Sequence, residues 1–214
     1  MSKARDVWVV GATGLVGREA VLALLEAGGF ERVLTLVRRP SGLSHPRLDE
    51  RLIDFETLSS SLGTEHADVA ICCLGSTIKQ AGSQAQFRHI DHDYALSFAQ
   101  AARAAGARHF LVVSALGAKA DSMVFYNRVK GELERDLAGL GFEALTIVRP
   151  SLLIGERTQS RLGEKLAAPL MSLLPRSVRG IEAKKVGRAL AKLAREEAKG
   201  RRVVLSGELH ALGA

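Results

Sequence analysis

The chain has 214 residues, of which 47% are hydrophobic and 25% charged, a composition typical of a soluble globular protein with a sizeable core. Its 30 Lys and Arg outnumber its 23 Asp and Glu, so the formal net charge is +7 at neutral pH. The apolar helix-like stretches are shorter than the roughly 20 residues that span a bilayer, and no apolar signal region precedes the first predicted strand. We therefore expect no membrane association.

Short apolar runs alternate with helix-like runs along the chain. Strands are predicted over residues 6–10, 32–37, 50–53, 69–73, 109–113, 144–148 and 202–205. Helices are predicted over residues 15–27, 55–62, 84–105, 122–140, 161–174 and 183–199. Several strands are apolar on both faces, as in parallel sheets covered by helices on both sides. The alternation predicts an α/β fold with a doubly wound parallel sheet. We expect one domain over residues 1–214, with residues 150–214 forming a small C-terminal lobe on the substrate side.

The first strand ends in a glycine-rich turn that leads directly into a helix. Its spacing is G-x-x-G-x-x-G, whereas the standard dinucleotide fingerprint is G-x-G-x-x-G. Glycines permit the sharp turn, leave room for a pyrophosphate and let the helix pack closely, while the helix N–H groups face the anion. An ordinary strand-to-helix turn could use glycine for geometry alone, but the position at the start of the chain favours an NAD(P)-binding Rossmann fold. The turn residues predicted to bind the cofactor are Gly11, Thr13, Gly14, Leu15, Val16 and Gly17.

The end of the second strand indicates which nicotinamide cofactor the chain prefers. In NAD-binding sites an acidic residue about 20 positions after the glycines binds the ribose 2′-hydroxyl. Here Val37 lies 20 residues after Gly17, and Arg38 and Arg39 follow it. Guanidinium groups can bind a 2′-phosphate in a bidentate manner. We therefore predict NADP(H) as the cofactor, although arginines are also common at strand ends.

The next two strand ends add further candidates for cofactor binding. Asp54 could accept a hydrogen bond from the adenine amino group while Phe55 packs nearby, or Asp54 could cap the next helix. After the fourth strand, Leu74, Gly75 and Ser76 are predicted to approach the cofactor's ribose or pyrophosphate, because glycine allows a close backbone approach. The alternative for this second segment is a plain turn.

The two cysteines, Cys72 and Cys73, are adjacent on the fourth predicted strand. Successive strand residues point to opposite faces, so these two should not pair with each other. Free buried thiols indicate a reducing environment, and we therefore expect a cytoplasmic location.

Candidate reactive residues follow the fifth predicted strand. Ser114 lies at the strand end, and Tyr126 and Lys130 share one face of the following helix because they are four residues apart. A nearby ammonium favours the phenolate form of a tyrosine and moves its pKa towards the working range. Ser114 could hydrogen-bond a substrate carbonyl, and Tyr126 could pass it a proton while a nicotinamide delivers hydride.

These motifs together resemble the atypical, NADP-binding short-chain dehydrogenase/reductase superfamily. The similarity is greatest to the branch of Tat-interacting oxidoreductase-like proteins and their small bacterial relatives. Besides the glycine turn, it rests on residues 72–77, 113–118, 126–130 and 149–151. The resemblance implies a Rossmann fold, NADPH binding and a catalytic triad of Ser114, Tyr126 and Lys130. It further implies that Lys130 holds the nicotinamide ribose and that residues after Pro150 border the nicotinamide.

The chain departs from this family in the helix after the fourth strand. Many relatives carry an asparagine there that relays protons through water. The equivalent residues 89–94 contain no asparagine, and Asp91 is the candidate substitute. Two functions stay open: an NADPH-dependent reductase of a small carbonyl compound, and a non-catalytic NADPH-binding redox sensor or partner-binding regulator.

The C-terminal region carries the excess positive charge. Residues 176–202 contain ten Lys or Arg and three Glu. We expect a solvated helix face, or alternatively a surface for an acidic protein partner. No aromatic residue lies among these basic residues, which argues against nucleic-acid binding. The spacing of His89, Asp91, His92 and Asp93 does not favour a metal site. The oligomeric state is open, although the helices over residues 84–105 and 122–140 could pair between subunits.

Overall fold

The computed structural model describes residues 5–58, 62, 65–154 and 180–214. The strands are β1 (Asp6–Val10), β2 (Arg32–Val37), β3 (Leu48–Leu52), β4 (Val69–Cys72), β5 (His109–Val113), β6 (Ala144–Arg149), β7 (Leu153–Ile154), β8 (Ile181–Glu182) and β9 (Gly200–Leu205). The helices are α1 (Leu15–Ala27), α2 (Ile78–Ala81), α3 (Gln84–Arg88), α4 (Tyr94–Ala104), α5 (Phe125–Ala138), α6 (Ala183–Arg195) and α7 (Ser206–Leu212). A 3-10 turn covers Phe55–Thr57, and a π-helical turn, His89–Asp93, connects α3 to α4.

Seven of these strands form one parallel sheet in the order β3-β2-β1-β4-β5-β6-β9. The chain moves outward from β1 through β2 and β3, then crosses to β4 on the other side of β1. The order therefore reverses between β1 and β4, and ligands of such sheets bind at the carboxyl ends of the strands at that point. The doubly wound parallel sheet predicted from the sequence is confirmed.

Both faces of the sheet are buried, which explains the apolar strands. Along β1, Val7 and Val9 pack into one core with α1 and α6, whereas Trp8 and Val10 pack into a second core with α4 and α5. All four side chains are fully buried. Burying a large apolar side chain contributes about 1.5–3 kcal/mol. Two continuous cores thus hold the carboxyl edge of the sheet in place.

The predicted helix over residues 84–105 is interrupted by the π-helical turn. The extra residue in the turn changes which side chains face inward. Asp91 and His92 are buried as a result. The predicted helix over residues 55–62 begins as a single 3-10 turn, α2 and α7 were not predicted, and the predicted helix over residues 161–174 lies outside the described residues.

The described part of the predicted C-terminal lobe is built into the main fold. Strand β9 pairs with β6 and completes the sheet, and α6 packs on α1. Gly187 permits that packing, because a Cβ there would lie 2.6 Å from the backbone of Glu19. Only the β7–β8 pair forms a separate small sheet among the described residues. The described residues from 180 onwards thus complete the main sheet, and a small lobe over residues 150–214 stays a prediction.

Candidate cofactor cleft and reactive residues

The glycine turn between β1 and α1 has the geometry that its spacing predicts. Gly11 adopts φ +81°, and its carbonyl accepts a hydrogen bond from the Gly14 amide at 2.9 Å. A Cβ on Gly17 would lie 2.1 Å from the Gly11 oxygen, and a Cβ on Gly11 would lie 2.5 Å from the Cys73 carbonyl. No side chain caps the N-terminus of α1, and its first turn contains no acidic residue. The amide groups of that turn are therefore available to an anion.

A cleft of about 1380 Å³ opens at the carboxyl edge of the sheet beside this turn. Most of the predicted cofactor-binding residues line it: Gly11, Thr13, Gly14, Leu15, Arg38, Arg39, Phe55, Leu74, Gly75 and Ser76. Val16 and Gly17 are buried behind the turn and do not line the cleft. Their contribution is to the packing of α1, because Val16 belongs to the core and Gly17 contacts the Gly11 backbone.

Among the described residues, four cationic side chains line the cleft, and the sequence analysis predicts only two of them. Arg38 and Arg39 follow β2 as predicted, and Arg18 and Lys184 join them from α1 and α6. Arg18 also donates a hydrogen bond to the Ser41 carbonyl at 3.0 Å. The position of Arg18 directly after Gly17 indicates, from the sequence alone, that a cation lies beside the glycine turn. Lys184 reaches the cleft only because α6 packs on α1, and no local pattern shows that contact.

Asp54 caps the 3-10 turn. Its carboxylate accepts a hydrogen bond from the Glu56 amide at 3.0 Å, which is the capping alternative considered for it. Phe55, next in the chain, lines the cleft and packs against Tyr94 with ring centroids 5.3 Å apart. Tyr94 donates a hydrogen bond to Glu56 at 2.5 Å. Adenine contacts of Asp54 and Phe55 stay a prediction.

Lys130 and Asp91 form a buried ion pair behind the cleft wall. Lys130 Nζ lies 2.7 Å from Asp91 Oδ1, and their side chains are 3% and 0% exposed. Burial acts to lower the pKa of Lys130, but the Asp91 carboxylate and Tyr126 outweigh it, and the net effect is a raised pKa. A Cβ placed on the cleft residue Gly75 would lie 3.8 Å from Lys130 Nζ. The ammonium is therefore charged and lies just beneath the cleft surface at Gly75.

Tyr126 lies one helical turn before Lys130 on α5. It is half-buried, and its ring packs on Phe87 with centroids 5.4 Å apart. Tyr126 is one of the groups that raise the pKa of Lys130. The structure thus places the predicted phenol and ammonium on one face of α5, as the spacing indicated.

Ser114 has a partner that the sequence reasoning missed. Its hydroxyl donates a hydrogen bond to Glu134 Oε1 at 2.5 Å, and the same oxygen accepts from Arg149 Nε at 2.9 Å. Ser114 and Glu134 are 4% and 2% exposed. A buried carboxylate needs hydrogen-bond donors, and Ser114 supplies one. The structure therefore directs this hydroxyl to Glu134 instead of the expected substrate carbonyl, and its catalytic role stays a prediction.

The remaining predicted features differ in how far the structure describes them. Pro150 is buried, and its carbonyl accepts a hydrogen bond from the Leu116 amide at 3.0 Å. None of Ser114, Tyr126, Lys130 and Pro150 lines the cleft itself. On the basic C-terminal face, Lys184, Arg188 and Lys192 are exposed along α6. Arg176 and Arg179 lie outside the described residues.

No metal-binding cluster of His, Cys, Asp and Glu side chains is present among the described residues. The histidines of the π-helical turn instead face carboxylates. His92 Nε2 lies 3.0 Å from Asp136 Oδ2, and His89 Nε2 lies 3.0 Å from Glu56 Oε1. These contacts hold the turn against α5 and against the 3-10 turn.

Comparison with known proteins supports the assignment of the cleft to a nicotinamide cofactor. Residues 11–197 match the model of a family described as NAD(P)H-binding. Protein HTATIP2 of Rattus norvegicus is 34% identical over 177 residues, which cover 81% of this chain and 73% of that protein. Protein FMP52 of Saccharomyces cerevisiae, named as mitochondrial, is 36% identical over 200 residues and 86% of each chain. The resemblance to short-chain dehydrogenase/reductase proteins is thereby confirmed.

Solved structures share the fold. The Bordetella bronchiseptica enzyme WbmH in complex with NAD+ superposes with a TM-score of 0.72 at 17% identity, covering 94% of this chain and 75% of that one. At this identity the likeness shows the Rossmann architecture alone. It does not distinguish NADP from NAD as the cofactor of this chain.

The relatives correct the predicted cytoplasmic location. FMP52 proteins from several fungi are named as mitochondrial, so the cytoplasmic prediction is wrong. It rested on Cys72 and Cys73, which are both free thiols. A free thiol reports on redox conditions and carries no information about which reducing compartment holds the protein. Among the described residues, no helix has the length and apolar character needed to cross a membrane.

Proposed function

The chain belongs to the NAD(P)H-binding family, and from that premise we propose that it is an NADPH-dependent oxidoreductase of the short-chain dehydrogenase/reductase type. Its substrate is a small carbonyl compound, which it reduces by hydride transfer. The observation that carries the proposal is the position of Lys130 on α5, whose ammonium lies beneath the cleft residue Gly75. Tyr126 lies on the same helix face one turn earlier, so the proposed acid and this cation share one face of α5.

The described residues fit a dinucleotide. Gly75 has no positive φ, and a Cβ on it would lie no closer than 3.6 Å to its nearest contacts in the described part of the chain, so that part of the fold does not require glycine there. A ligand that approaches the backbone does require it. At the other end, the uncapped amides of α1 face the same cleft. The glycine turn, Gly75 and the cations of the cleft together support a bound pyrophosphate and ribose.

Each residue of the site has a distinct task in the proposed reaction. When bound, NADPH supplies the hydride. Tyr126 donates its phenolic proton to the carbonyl oxygen, and the charged Lys130 lowers the energy of the phenolate that results. Lys130 also binds the hydroxyl groups of the nicotinamide ribose. Ser114 completes the proposed triad if Glu134 releases its hydroxyl.

The preference for NADPH is assigned to Arg38 and Arg39. Both follow β2 and line the cleft, where the 2′-phosphate of the adenosine ribose would lie. Titration of the purified protein with NADPH and NADH, followed by nicotinamide fluorescence, tests this assignment. We expect tight binding of NADPH and weak binding of NADH. Preference for NADH would contradict the role of the two arginines, and binding of neither would contradict the oxidoreductase proposal.

Two variants test the site itself. Tyr126→Phe should lower turnover by about 100-fold or more and leave NADPH affinity nearly unchanged, because only the phenolic proton is lost. Gly75→Ala should unfold like the wild type and weaken NADPH binding by about tenfold or more, because its Cβ enters ligand space. Substrates for the turnover assay come from a panel of small aldehydes and ketones. Full turnover by Tyr126→Phe would show that the triad assignment is wrong.

One observation favours a second candidate function. Lys184 both lines the cofactor cleft and begins an exposed basic stripe on α6 that continues with Arg188 and Lys192. The chain could thus be a non-catalytic, NADPH-binding regulator whose acidic protein partner docks on this stripe. The double variant Arg188→Glu/Lys192→Glu distinguishes the two, because neither residue lines the cleft. Loss of a cofactor-dependent partner, with no turnover on the carbonyl panel, would favour the regulator.

A further inference from the structure

Asp91 connects three separate elements at the end of the cleft. It lies in the π-helical turn, and its Oδ1 is 2.7 Å from Lys130 Nζ on α5. Its other oxygen, Oδ2, accepts two hydrogen bonds at 2.8 Å, from the amide and from the hydroxyl of Ser76. Ser76 lines the cleft in the segment after β4. One carboxylate therefore fixes the position of the cleft-lining Ser76 segment relative to helix α5.

Stability alone does not account for this arrangement. Both partners are almost completely buried, and the desolvation of a buried ion pair cancels much of the attraction between its charges. An apolar pair of similar volume would fill the same space at little or no loss of stability. The π-helical turn also interrupts a helix that is otherwise regular from α3 to α4. The π-helical turn directs the Asp91 side chain into the protein interior. A fixed, charged group thus lies next to the cofactor cleft.

We propose that Asp91 is a positioning residue that keeps Lys130 charged and directed at Gly75, and that it does so as a carboxylate which an amide cannot replace. This inference rests on the proposed function, because the group that Lys130 would bind is the nicotinamide ribose. Asp91 thus differs from the neutral asparagine relay that the resemblance implies for this position. Its negative charge balances the ammonium, and its second oxygen fixes the Ser76 segment of the cleft.

The charged and titratable groups around the pair define what a pH experiment reports. Lys130 faces Asp91 on the π-helical turn, Tyr126 on its own helix and Cys72 on β4. Burial raises the pKa of the Cys72 thiol to about 11, so this thiol is neutral over the working range. Without the Asp91 charge, the lowering of the Lys130 pKa by burial is less fully offset. The ammonium then loses its proton at a lower pH.

The experiment compares Asp91→Asn with Asp93→Asn, a matched change two residues away in the same turn. Asp93 is half-exposed and contacts His89 and His92 instead of Lys130. NADPH affinity is measured by fluorescence titration between about pH 6 and about pH 10, alongside thermal unfolding of each variant. We expect Asp91→Asn to bind NADPH about tenfold more weakly at neutral pH and progressively more weakly as the pH rises. The wild type and Asp93→Asn should show no such decline.

A second variant covers the case in which Asp91→Asn does not fold. The double variant Asp91→Asn/Lys130→Met removes both buried charges, and it should fold while binding NADPH weakly at every pH. A pH-dependent decline that persists in the double variant would overturn the inference, because Lys130 would not be the titrating group. Equal, pH-independent affinity of Asp91→Asn and the wild type would overturn it as well. Failure of the wild type to bind NADPH would instead count against the proposed function.

Discussion

The glycine turn at β1–α1 lines the cleft, whereas Lys130 on α5 lies behind the cleft wall, and different contacts shape the two regions. In the turn, the contacts of Gly14 and Gly17 lie within seven residues, because the Gly14 amide donates a hydrogen bond to the Gly11 carbonyl and Gly17 packs on that carbonyl. Around α5 the decisive partners are distant in the chain, because Lys130 meets Asp91 and Glu134 meets Ser114 and Arg149. Local backbone sterics built the first region, and tertiary packing of polar groups built the second.

This difference explains which assignments could be made from sequence. A backbone conformation that only glycine tolerates leaves a recognisable spacing in the chain. A buried hydrogen bond between residues 20 positions apart leaves no recognisable spacing, so the sequence does not predict Glu134 as the partner of Ser114. Variants of the two regions should therefore differ in how much they lower the free energy of unfolding.

The largest effect is expected from Gly17→Ala in the glycine turn. Its Cβ would lie 2.1 Å from the Gly11 oxygen, and backbone on both sides has to shift. We expect a loss of about 3 kcal/mol or more in the free energy of unfolding. Gly207→Ala is the matched control, because a Cβ there meets no atom within 4 Å and alanine favours the helix α7. Denaturant unfolding measures both; equal stability of the two variants would contradict the packing argument.

A smaller effect on stability is expected from Ser114→Ala in the reactive region. The variant removes a donor from the buried Glu134 carboxylate, which should lower the free energy of unfolding by about 2 kcal/mol. A serine that only contacts substrate would leave stability unchanged, so chemical denaturation separates the two roles. Ser44→Ala, at an exposed position, serves as the control. If Ser114→Ala is as stable as the wild type, the hydrogen bond from Ser114 to Glu134 does not contribute to stability.

The smallest effect at neutral pH is expected from His109 at the start of β5. Burial, with a further contribution from Arg5, lowers the pKa of His109 to about 4, so the imidazole is neutral in the folded state. The unfolded chain takes up this proton near pH 6.5, so stability is complete above that pH and falls as the pH drops towards 4. His109→Gln should lose this part of the pH dependence, which is small near neutral pH and grows as the pH falls towards 4. Denaturant unfolding of the wild type and the variant at several pH values measures this difference. If the free energy of unfolding falls equally with pH in both proteins, another group is responsible for the titration.

The sequence by itself determined the parallel α/β fold, the glycine turn, the strand ends that line the cleft and the shared face of Tyr126 and Lys130. Each of these follows from local rules: apolar periodicity, the conformational freedom of glycine and the helical repeat. Tertiary structure alone decided that Asp91 turns inward, that Ser114 donates to Glu134 and that Lys184 reaches the cofactor cleft. The physical reason is that burial of polar groups depends on which distant elements pack together, and no local pattern in the chain records that choice.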